Sequence, residues 1–251
     1  MSLFGAYRKG ALNFRRSAGL KGSAAIEAML IGLLGLKGCG KDTAAAMLAV
    51  HGFTRMAFAD ELYVESARAY EVTPHFLGRR DTKETALDRL ALKHCRDAQF
   101  VGLFTADRVR GRLTVEEVLA APRSPRWVLQ QWGTEYRRKS QWGCEEYWAE
   151  PLMRKIDSKP KGTRVVLTDV REPIEVRMIR ARGGLLVRIR RRRIEEDDAE
   201  AVSAGLVSAL HTSEILARTC AVDLEVENVE GDPEAMRREL EAYLARLKSA
   251  A

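Results

Sequence analysis

Short apolar runs alternate with amphipathic segments along most of the chain. Met29–Leu34 is an apolar run flanked by glycine, which is typical of a buried parallel strand. The next segment, KDTAAAMLAVHG, predicts an alanine-rich helix closed by glycine. FTRMAFA then predicts a second strand, and DELYVESARAY predicts a second helix capped by Asp60. The order strand, glycine loop, helix, strand predicts a parallel α/β sheet.

The same alternation returns after residue 162. The strands and helices that it predicts there are, in order, RVVLTDV, EPIEVRMIRARGG, LLVRIR, AVDLEVEN and DPEAMRRELEAYLARLKSA. Asp232 suits the cap of the last helix, and Pro233 suits its first turn. The polar stretch at 191–214 has no strong periodicity and predicts a mobile surface segment.

The middle of the chain, residues 71–161, has few β-branched runs and several helical patterns. We therefore expect a helical lobe inserted into a core made of residues 29–70 and 162–251. The predicted fold class is α/β, with a parallel sheet flanked by helices.

Composition limits the class of protein. The chain has 251 residues, of which 46% are hydrophobic and 31% are charged, as expected for a globular protein. No apolar run approaches the roughly 18 residues that a membrane span needs, and the N-terminus does not resemble a signal peptide, so no membrane partner is expected. The cysteines lie far apart and form no metal-like pair, which favours free thiols in a reducing cytoplasm. They are Cys39, Cys95, Cys144 and Cys220.

The net charge of +7 is concentrated near the N-terminus. Residues 1–28 have one acid, Glu27, against a set of basic side chains. The basic residues are Arg8, Lys9, Arg15, Arg16 and Lys21. This segment predicts a flexible basic arm, which can bind nucleic acid phosphates. A loose, solvated tail or a start codon placed too early would give the same pattern.

The first candidate site is the glycine loop GLKGCGKDT, which begins at Gly35. Glycines allow a positive φ and a close approach of the backbone to phosphate, and the new helix directs its N–H groups at the anion. A phosphate-binding loop normally has Ser or Thr directly after its lysine, but here Asp42 takes that place and Thr43 follows. Lys41 is expected to reach the β- and γ-phosphates, and Thr43 to offer a hydroxyl to Mg²⁺. The predicted binding set is Gly35, Gly38, Gly40, Lys41, Asp42 and Thr43.

The second candidate site is TDVRE, residues 168–172, at the end of a predicted buried strand. Ligands of open α/β sheets lie beyond the carboxyl ends of the strands. Asp169 is therefore a candidate for orienting Mg²⁺ or its waters, and Arg171 for contacting phosphate. The alternative is a helix-capping Asp and a surface Arg.

Two further segments combine arginine with other groups. In the middle of the chain, tryptophans and tyrosines lie among arginines at 122–148, which suits either a site that stacks a base or a helix with an aromatic core face. Arg188–Arg193 leads into an acidic stretch and then HTSE at 211–214. That segment, 190–214, predicts a lid whose Arg190 and Arg192 close over transferring phosphates, and a solvated, self-paired charge run is the alternative.

Taken together, these motifs resemble the bacteriophage deoxynucleoside monophosphate kinases. The motifs that carry the resemblance occur in the family's order between about residues 30 and 215. They are GLKGCGKDTAA, FAD, RRDTKE, PRSPRWVLQQWGTEYRR, YW, TDVREPIE, RARGGLLVRI and HTSE. The family writes its loop as Gly-Lys-Asp-Thr, so the Asp at position 42 is typical of it.

The resemblance implies a P-loop kinase fold with an acceptor-binding lobe and an arginine-rich lid, in the host cytoplasm. It implies ATP and Mg²⁺ as donor and cofactor, with nucleotides as small-molecule partners, and catalysis by Lys41, Asp169 and Arg171. Candidates for the acceptor's phosphate are Arg79, Arg80, Lys83, Arg126 and Arg137, and Gln130, Trp132 and Thr134 would shape its base pocket.

The sequence departs from the family after residue 171, where Glu172 and Ile174 replace an aromatic residue and an amide. This leaves the acceptor open. The leading expectation is a free deoxynucleoside monophosphate. One alternative is 5-hydroxymethyluracil within phage DNA, for which a basic surface and base flipping would be needed. Another is a non-catalytic nucleotide- or DNA-binding module. The oligomeric state, a homodimer included, stays open.

Overall fold

The structure is a computed structural model that describes residues 29–109, 113–141, 143–203 and 212–249. The predictions that concern the arm at 1–28, Trp142, His211 and the lid residues 204–211 lie outside these residues.

A five-stranded sheet organises the fold, with all neighbouring strands parallel and the order β2-β3-β1-β4-β5. The strands are β1 Leu30–Leu34, β2 Phe53–Met56, β3 Arg164–Leu167, β4 Leu185–Arg190 and β5 Leu224–Glu227. The predicted α/β fold with a parallel sheet flanked by helices is therefore confirmed.

Helices separate these strands and follow the last of them. The α-helices are α1 Lys41–Val50, α2 Ala59–Ala69, α3 Pro74–Gly78, α4 Ala98–Val109, α5 Val115–Ala120, α6 Pro125–Gln130, α7 Ala149–Asp157, α8 Pro173–Ala181, α9 Arg192–Ser203, α10 Thr212–Thr219 and α11 Pro233–Ser249. A π-helix, Gln131–Tyr136, continues α6. The predicted cap of the last helix is confirmed, because the Asp232 Oδ1 accepts a hydrogen bond from the Ala235 N–H at 3.0 Å.

The central strand explains the unbroken apolar run at the start of the core. All five residues of β1 are buried, because helices cover both faces of the sheet. Ile31 and Leu33 pack against α1 and α11, whereas Leu30 and Leu34 pack against α7 and α8. β1 therefore lies fixed in the middle of the sheet, and the loop that follows it starts from a rigid position.

The helical region, residues 71–161, lies between β2 and β3 in sequence and has a core of its own. Large aromatic side chains dominate that core, with Phe100 stacked 4.5 Å from the Trp132 ring centroid. Among the described residues of this region none forms a strand of the sheet. Its aromatic residues therefore stabilise a helical unit beside the sheet.

The polar stretch after β4 differs from its prediction. Where a mobile surface segment was expected, the structure has α9 and α10. At the start of this stretch Arg190 makes a bidentate ion pair with Glu195 of α9, a partly exposed pair of the kind that contributes little to stability. Within the described residues, no helix is both long and apolar enough to span a membrane.

Candidate active site

The glycine loop, residues 35–40, connects the carboxyl end of β1 to the start of α1. Gly35, Gly38 and Gly40 have φ values of 141°, 83° and 107°, which L side chains rarely adopt. A Cβ on Gly35 would also collide with the carbonyl oxygen of Ile189 and lie 2.6 Å from the Cys39 Sγ. Glycine is therefore required here by both the backbone conformation and the space.

Lys41 folds back across this loop. Its Nζ donates hydrogen bonds to the carbonyl oxygens of Gly35 and Leu36, each at 2.8 Å. Burial lowers the pKa of the Lys41 ammonium, and the nearby Arg171 cation acts in the same direction. No carboxylate of the described residues lies within 4 Å of the Lys41 Nζ, whose third hydrogen bond goes to the Cys39 Sγ at 3.7 Å.

Arg171 lies in the loop after β3, the strand that pairs with β1. Its side chain is exposed, and it forms no ion pair with any residue in the described part of the chain. Its charge acts to lower the pKa of Lys41 and that of Asp169. Two cations in neighbouring loops favour the binding of an anion, although the Asp169 carboxylate also acts on Arg171.

The first turn of α1 presents its N–H groups at this position, because a helix start has no intrahelical acceptors for them. Asp42 and Thr43 are exposed in that turn. The Thr43 hydroxyl makes no hydrogen bond to another described residue. Asp42 lies 3.9 Å from the Arg55 guanidinium and 4.0 Å from that of Arg80. Arg80, from the helical region, therefore reaches the helix that begins at the glycine loop.

Asp169 follows β3, which pairs in parallel with β1, so its loop adjoins the glycine loop. Its carboxylate oxygens accept hydrogen bonds from the N–H groups of Phe58 at 2.8 Å and Ala59 at 2.9 Å. Burial raises the pKa of Asp169, while these two bonds oppose the shift. A carboxylate has about four acceptor positions, so the group retains capacity for a metal-bound water.

These bonds correct the predicted cap of α2. The residue at the cap position is Phe58 rather than Asp60, and the N–H groups there are bound by Asp169, 110 residues or more away in sequence. Asp60 instead accepts a bond from the Ala57 N–H at 2.9 Å, within the turn that leads into the helix. The helix-capping alternative for Asp169 is therefore confirmed, and its role toward Mg²⁺ stays a prediction.

A buried ion cluster behind Arg171 was missed by the sequence analysis. Arg138 donates from its two terminal nitrogens to Glu172 at 2.9 Å and to Glu175 at 2.8 Å. Glu175 is 1% exposed, and its other oxygen accepts from the N–H groups of Arg171 at 2.7 Å and Glu172 at 3.1 Å. The position of Glu175 three residues after Glu172 is the signal of a capping box that could have identified it.

Glu175 should make stability depend on pH. Burial raises the pKa of its carboxyl from 4.5 to about 7, with Arg138 opposing the shift. A carboxyl whose pKa is higher in the folded than in the unfolded protein stabilises the fold fully at pH values below its unfolded pKa. This stabilisation is lost as the pH rises through its folded pKa. We expect this contribution to the free energy of unfolding to decrease between about pH 4.5 and about pH 7.

Urea unfolding at several pH values checks this for the wild type and Glu175→Gln. The glutamine variant cannot titrate, so its free energy of unfolding should change less across this range. Glu150→Gln, on the exposed face of α7, serves as the control and should keep the wild-type slope. Equal slopes in wild type and Glu175→Gln would contradict the assignment.

The cationic residues predicted to hold an acceptor phosphate are mostly paired. Arg79 binds Asp81 and Arg126 binds Glu84, while Lys83 donates to the Tyr63 hydroxyl at 2.5 Å. Arg80 differs, because its side chain is 96% exposed. In this group, Arg80 is therefore the side chain most readily available to an incoming phosphate.

The predicted base pocket is only partly assembled. Gln130 is exposed and Thr134 is half-buried, but Trp132 is 1% exposed and packs in the core of the helical region. Trp132 and Arg137 both donate to Glu65, and the Arg137 guanidinium lies 4.1 Å from the Tyr136 ring centroid. Trp132 and Arg137 therefore contribute to the packing and the charge balance of this region. A ligand that contacts Gln130 or Thr134 would lie beside them.

The arginines of the predicted lid are also paired, as the self-paired alternative anticipated. Arg190 binds Glu195, and Arg192 lies 3.6 Å from Glu227 on β5. The start of α9 nevertheless reaches the glycine loop, since the Ile194 Cδ1 would lie 3.6 Å from a Cβ on Gly38. A cavity of about 380 Å³ separates the two segments. It is lined by Gly35, Leu36, Cys39, Arg188, Ile189, Arg190, Arg191, Ile194, Glu195, Ala217, Arg218 and Glu225.

Asn228, directly after β5, forms a hydrogen bond to the glycine loop and was not identified from the sequence. Its Nδ2 donates to the Cys39 carbonyl at 2.9 Å, and its backbone N–H donates to the Arg190 carbonyl at 2.7 Å. A Cβ on Gly40 would collide with this amide. A single Asn between a strand and a turn gives no sequence signal for such a role.

Comparison with known proteins adds little to this geometry. No protein-family model matches the sequence, and no curated protein matches it. Among solved structures, the chain is similar to the crystal structure of TT1252 from Thermus thermophilus, with 18% identity and a TM-score of 0.41. The match covers 88% of this chain and 98% of that chain. At this TM-score the similarity carries no argument about activity.

Proposed function

We propose that the chain is an ATP-dependent P-loop kinase that transfers the γ-phosphoryl of ATP to a free deoxynucleoside monophosphate in phage DNA metabolism. One observation carries the proposal. Lys41 begins the helix after β1 and Arg171 lies in the loop after β3, so both cations are at the carboxyl ends of neighbouring parallel strands, beside a glycine loop whose conformation excludes side chains. The motif resemblance to phage deoxynucleoside monophosphate kinases supplies the acceptor class.

The donor would bind at the glycine loop. Its phosphates would replace the carbonyls of Gly35 and Leu36 as partners of Lys41, and would accept from the N–H groups that start α1. The cavity between the loop and α9 is large enough for part of a nucleotide. Closure of the α9 segment over it would exclude water.

Thr43 and Asp169 fit Mg²⁺, which prefers oxygen ligands. Within the described residues, no group of three or more His, Cys, Asp or Glu side chains could hold a metal alone. Mg²⁺ would therefore depend on phosphate oxygens and water as well, which is its usual mode in phosphoryl transfer. When bound, the ion neutralises charge on the phosphates.

The two side chains after Lys41 should respond differently to mutation. Thr43→Ala removes the hydroxyl that the loop offers, so half-maximal activity should require several-fold more Mg²⁺. Asp42→Asn should change this requirement less, because Asp42 lies between Arg55 and Arg80. Titration of Mg²⁺ against initial rate measures both. If only the Asp42 variant needs more metal, the two roles are reversed.

In the transfer step, an oxygen of the acceptor's phosphate forms a bond to the γ-phosphorus as the bond to the β-bridging oxygen breaks, and ADP leaves. No covalent intermediate with the protein is required. Lys41 and Arg171 would stabilise charge on the transferring group, while Arg80 would bring the acceptor's phosphate toward α1. Catalysis is then mainly positioning and charge neutralisation.

Deletion of residues 1–28 should separate the two possible acceptors. This segment has five basic side chains and one acid, which is +4 of the net +7. For a free nucleotide the deletion should change kcat/KM by less than about threefold, which is less than about 1 kcal/mol. For a DNA acceptor, each lost phosphate contact should flatten the dependence of log K on log salt by about 0.7 to 0.9.

The measurement compares the full-length and truncated proteins on both acceptors at two salt concentrations. A large, salt-sensitive loss on hydroxymethyluracil DNA, with no activity on any free nucleotide, would favour the DNA kinase.

The function itself is tested by ADP release. The purified protein with ATP and Mg²⁺ should release ADP slowly alone and much faster when a deoxynucleoside monophosphate is added. ATP binding without acceptor-stimulated release would favour a non-catalytic nucleotide-binding module.

A further inference from the structure

An ion cluster of Arg138, Glu172 and Glu175, here called the joint, connects the helical region to the loop that carries Arg171. Arg138 follows the π-helix of that region, and its side chain is 17% exposed. Its two terminal nitrogens bind different carboxylates, Glu172 and Glu175, both beyond the end of β3. A planar guanidinium fixes two such partners in one geometry, which a lysine cannot do.

The same joint holds the backbone of the candidate catalytic loop. Glu175 accepts from Arg138 with one oxygen and from the N–H groups of Arg171 and Glu172 with the other. On the opposite side of this loop, Asp169 is bound to the start of α2. The loop is thus held between two anchors, and one of the anchors belongs to the helical region.

We infer that Arg138 is a positioning residue that couples the helical region to phosphoryl transfer. It acts through Glu175 to orient Arg171. The inference rests on the proposed function and extends it. When an acceptor binds to the helical region, any movement of the π-helix end moves Arg138, and Glu175 transmits this movement to the Arg171 backbone. Arg171 then reaches its working position only with the helical region in place.

Substitution of Arg138 should therefore reduce turnover more than binding. Arg138→Met should lower kcat about 10- to 100-fold, because a small misplacement of a catalytic group has effects of this size. The Kd for ATP should stay within about twofold, since the glycine loop is untouched. Arg138→Lys, which retains the charge but not the two-carboxylate geometry, should recover part of the loss.

Two further variants serve as controls, one for the loss of stability and one for the loss of an ion pair elsewhere on α8. Arg138→Met leaves a buried carboxylate without its cation and is expected to lose stability. Arg138→Met/Glu175→Gln removes both charges and should fold better with kcat still low. Arg182→Met is the matched control, since it breaks a two-bond pair with Asp157 at the other end of α8. It should leave kcat and the Kd for ATP unchanged.

Hydrogen exchange of the peptide 169–176 gives a readout that does not require activity. The N–H groups of Arg171 and Glu172 should exchange faster in Arg138→Met than in wild type, and at the wild-type rate in Arg182→Met. If exchange is unchanged, or if the folded double variant keeps the wild-type kcat, the inference is wrong. The proposed function still stands in that case, provided that the wild type is active. An inactive wild type overturns the proposed function and the coupling with it, and exchange then reports only whether the joint holds the loop.

Discussion

Lys41→Ala is expected to abolish phosphoryl transfer in a protein that still folds. Removal of the ammonium takes away the charge nearest the β- and γ-phosphates, which should lower kcat by more than about 10²-fold, or about 2.7 kcal/mol of barrier. Among the described residues, the Lys41 Nζ donates only within the glycine loop, to the carbonyl oxygens of Gly35 and Leu36 and to the Cys39 Sγ. Its loss should therefore have a small effect on the sheet and the helices.

Steady-state rates with ATP and an acceptor measure this effect, and circular dichroism checks the fold. Lys155→Ala removes an exposed lysine on α7 that pairs with Glu61, and should keep wild-type turnover. Near-normal turnover in folded Lys41→Ala would contradict the assignment of the glycine loop as the ATP site.

Arg171→Met is expected to have the second-largest effect, a fall in kcat of at least about 10²-fold. The exposed Arg171 guanidinium forms no ion pair within the described residues, so its removal breaks no contact that the fold uses. Arg171 lies beyond the carboxyl end of β3, next to the strand that leads into the glycine loop, where the phosphates are proposed to bind. Thermal stability should stay at the wild-type value while turnover falls.

Single-turnover kinetics would place this loss in the chemical step. Arg177→Met, on the exposed face of α8, removes an equivalent charge a few residues away and should leave the rate unchanged. If both variants lose the same activity, then general charge rather than position explains the effect, and the role of Arg171 is wrong.

Local sequence patterns predicted much of the framework. The apolar run at Leu30–Leu34 predicts a buried strand, and the glycine spacing after it predicts a tight turn. Both predictions use only residues that are adjacent in sequence. The strand at Leu185–Arg190 was predicted with its exact ends, because a glycine pair and a charged run bound it. Such features depend on neighbours in sequence, so they can be read without tertiary information.

Contacts between distant segments were not predictable in the same way. Asp169 binds the start of α2 across more than 100 residues, and Asn228 supports the glycine loop across 189. No periodicity records such pairs. The helix α9 was not predicted either, because the stretch that forms it shows no strong apolar periodicity.

The motif rich in tryptophan and arginine shows a further limit. Its composition suits a ligand-binding surface and a packed core equally well. In the structure Trp132 is buried and Arg137 is held by Glu65, so the motif builds the helical region. Only burial distinguishes these residues from Gln130, which is exposed and free to contact an acceptor.

The proposed site would transfer phosphoryl groups to free nucleotides. The most direct measurement offers ATP labelled at the γ-phosphate to the full-length protein, with each deoxynucleoside monophosphate and, separately, with hydroxymethyluracil-containing DNA. We predict that the label appears in a deoxynucleoside diphosphate and that the DNA stays unlabelled. Label in the DNA alone, or in neither acceptor, would contradict the claim.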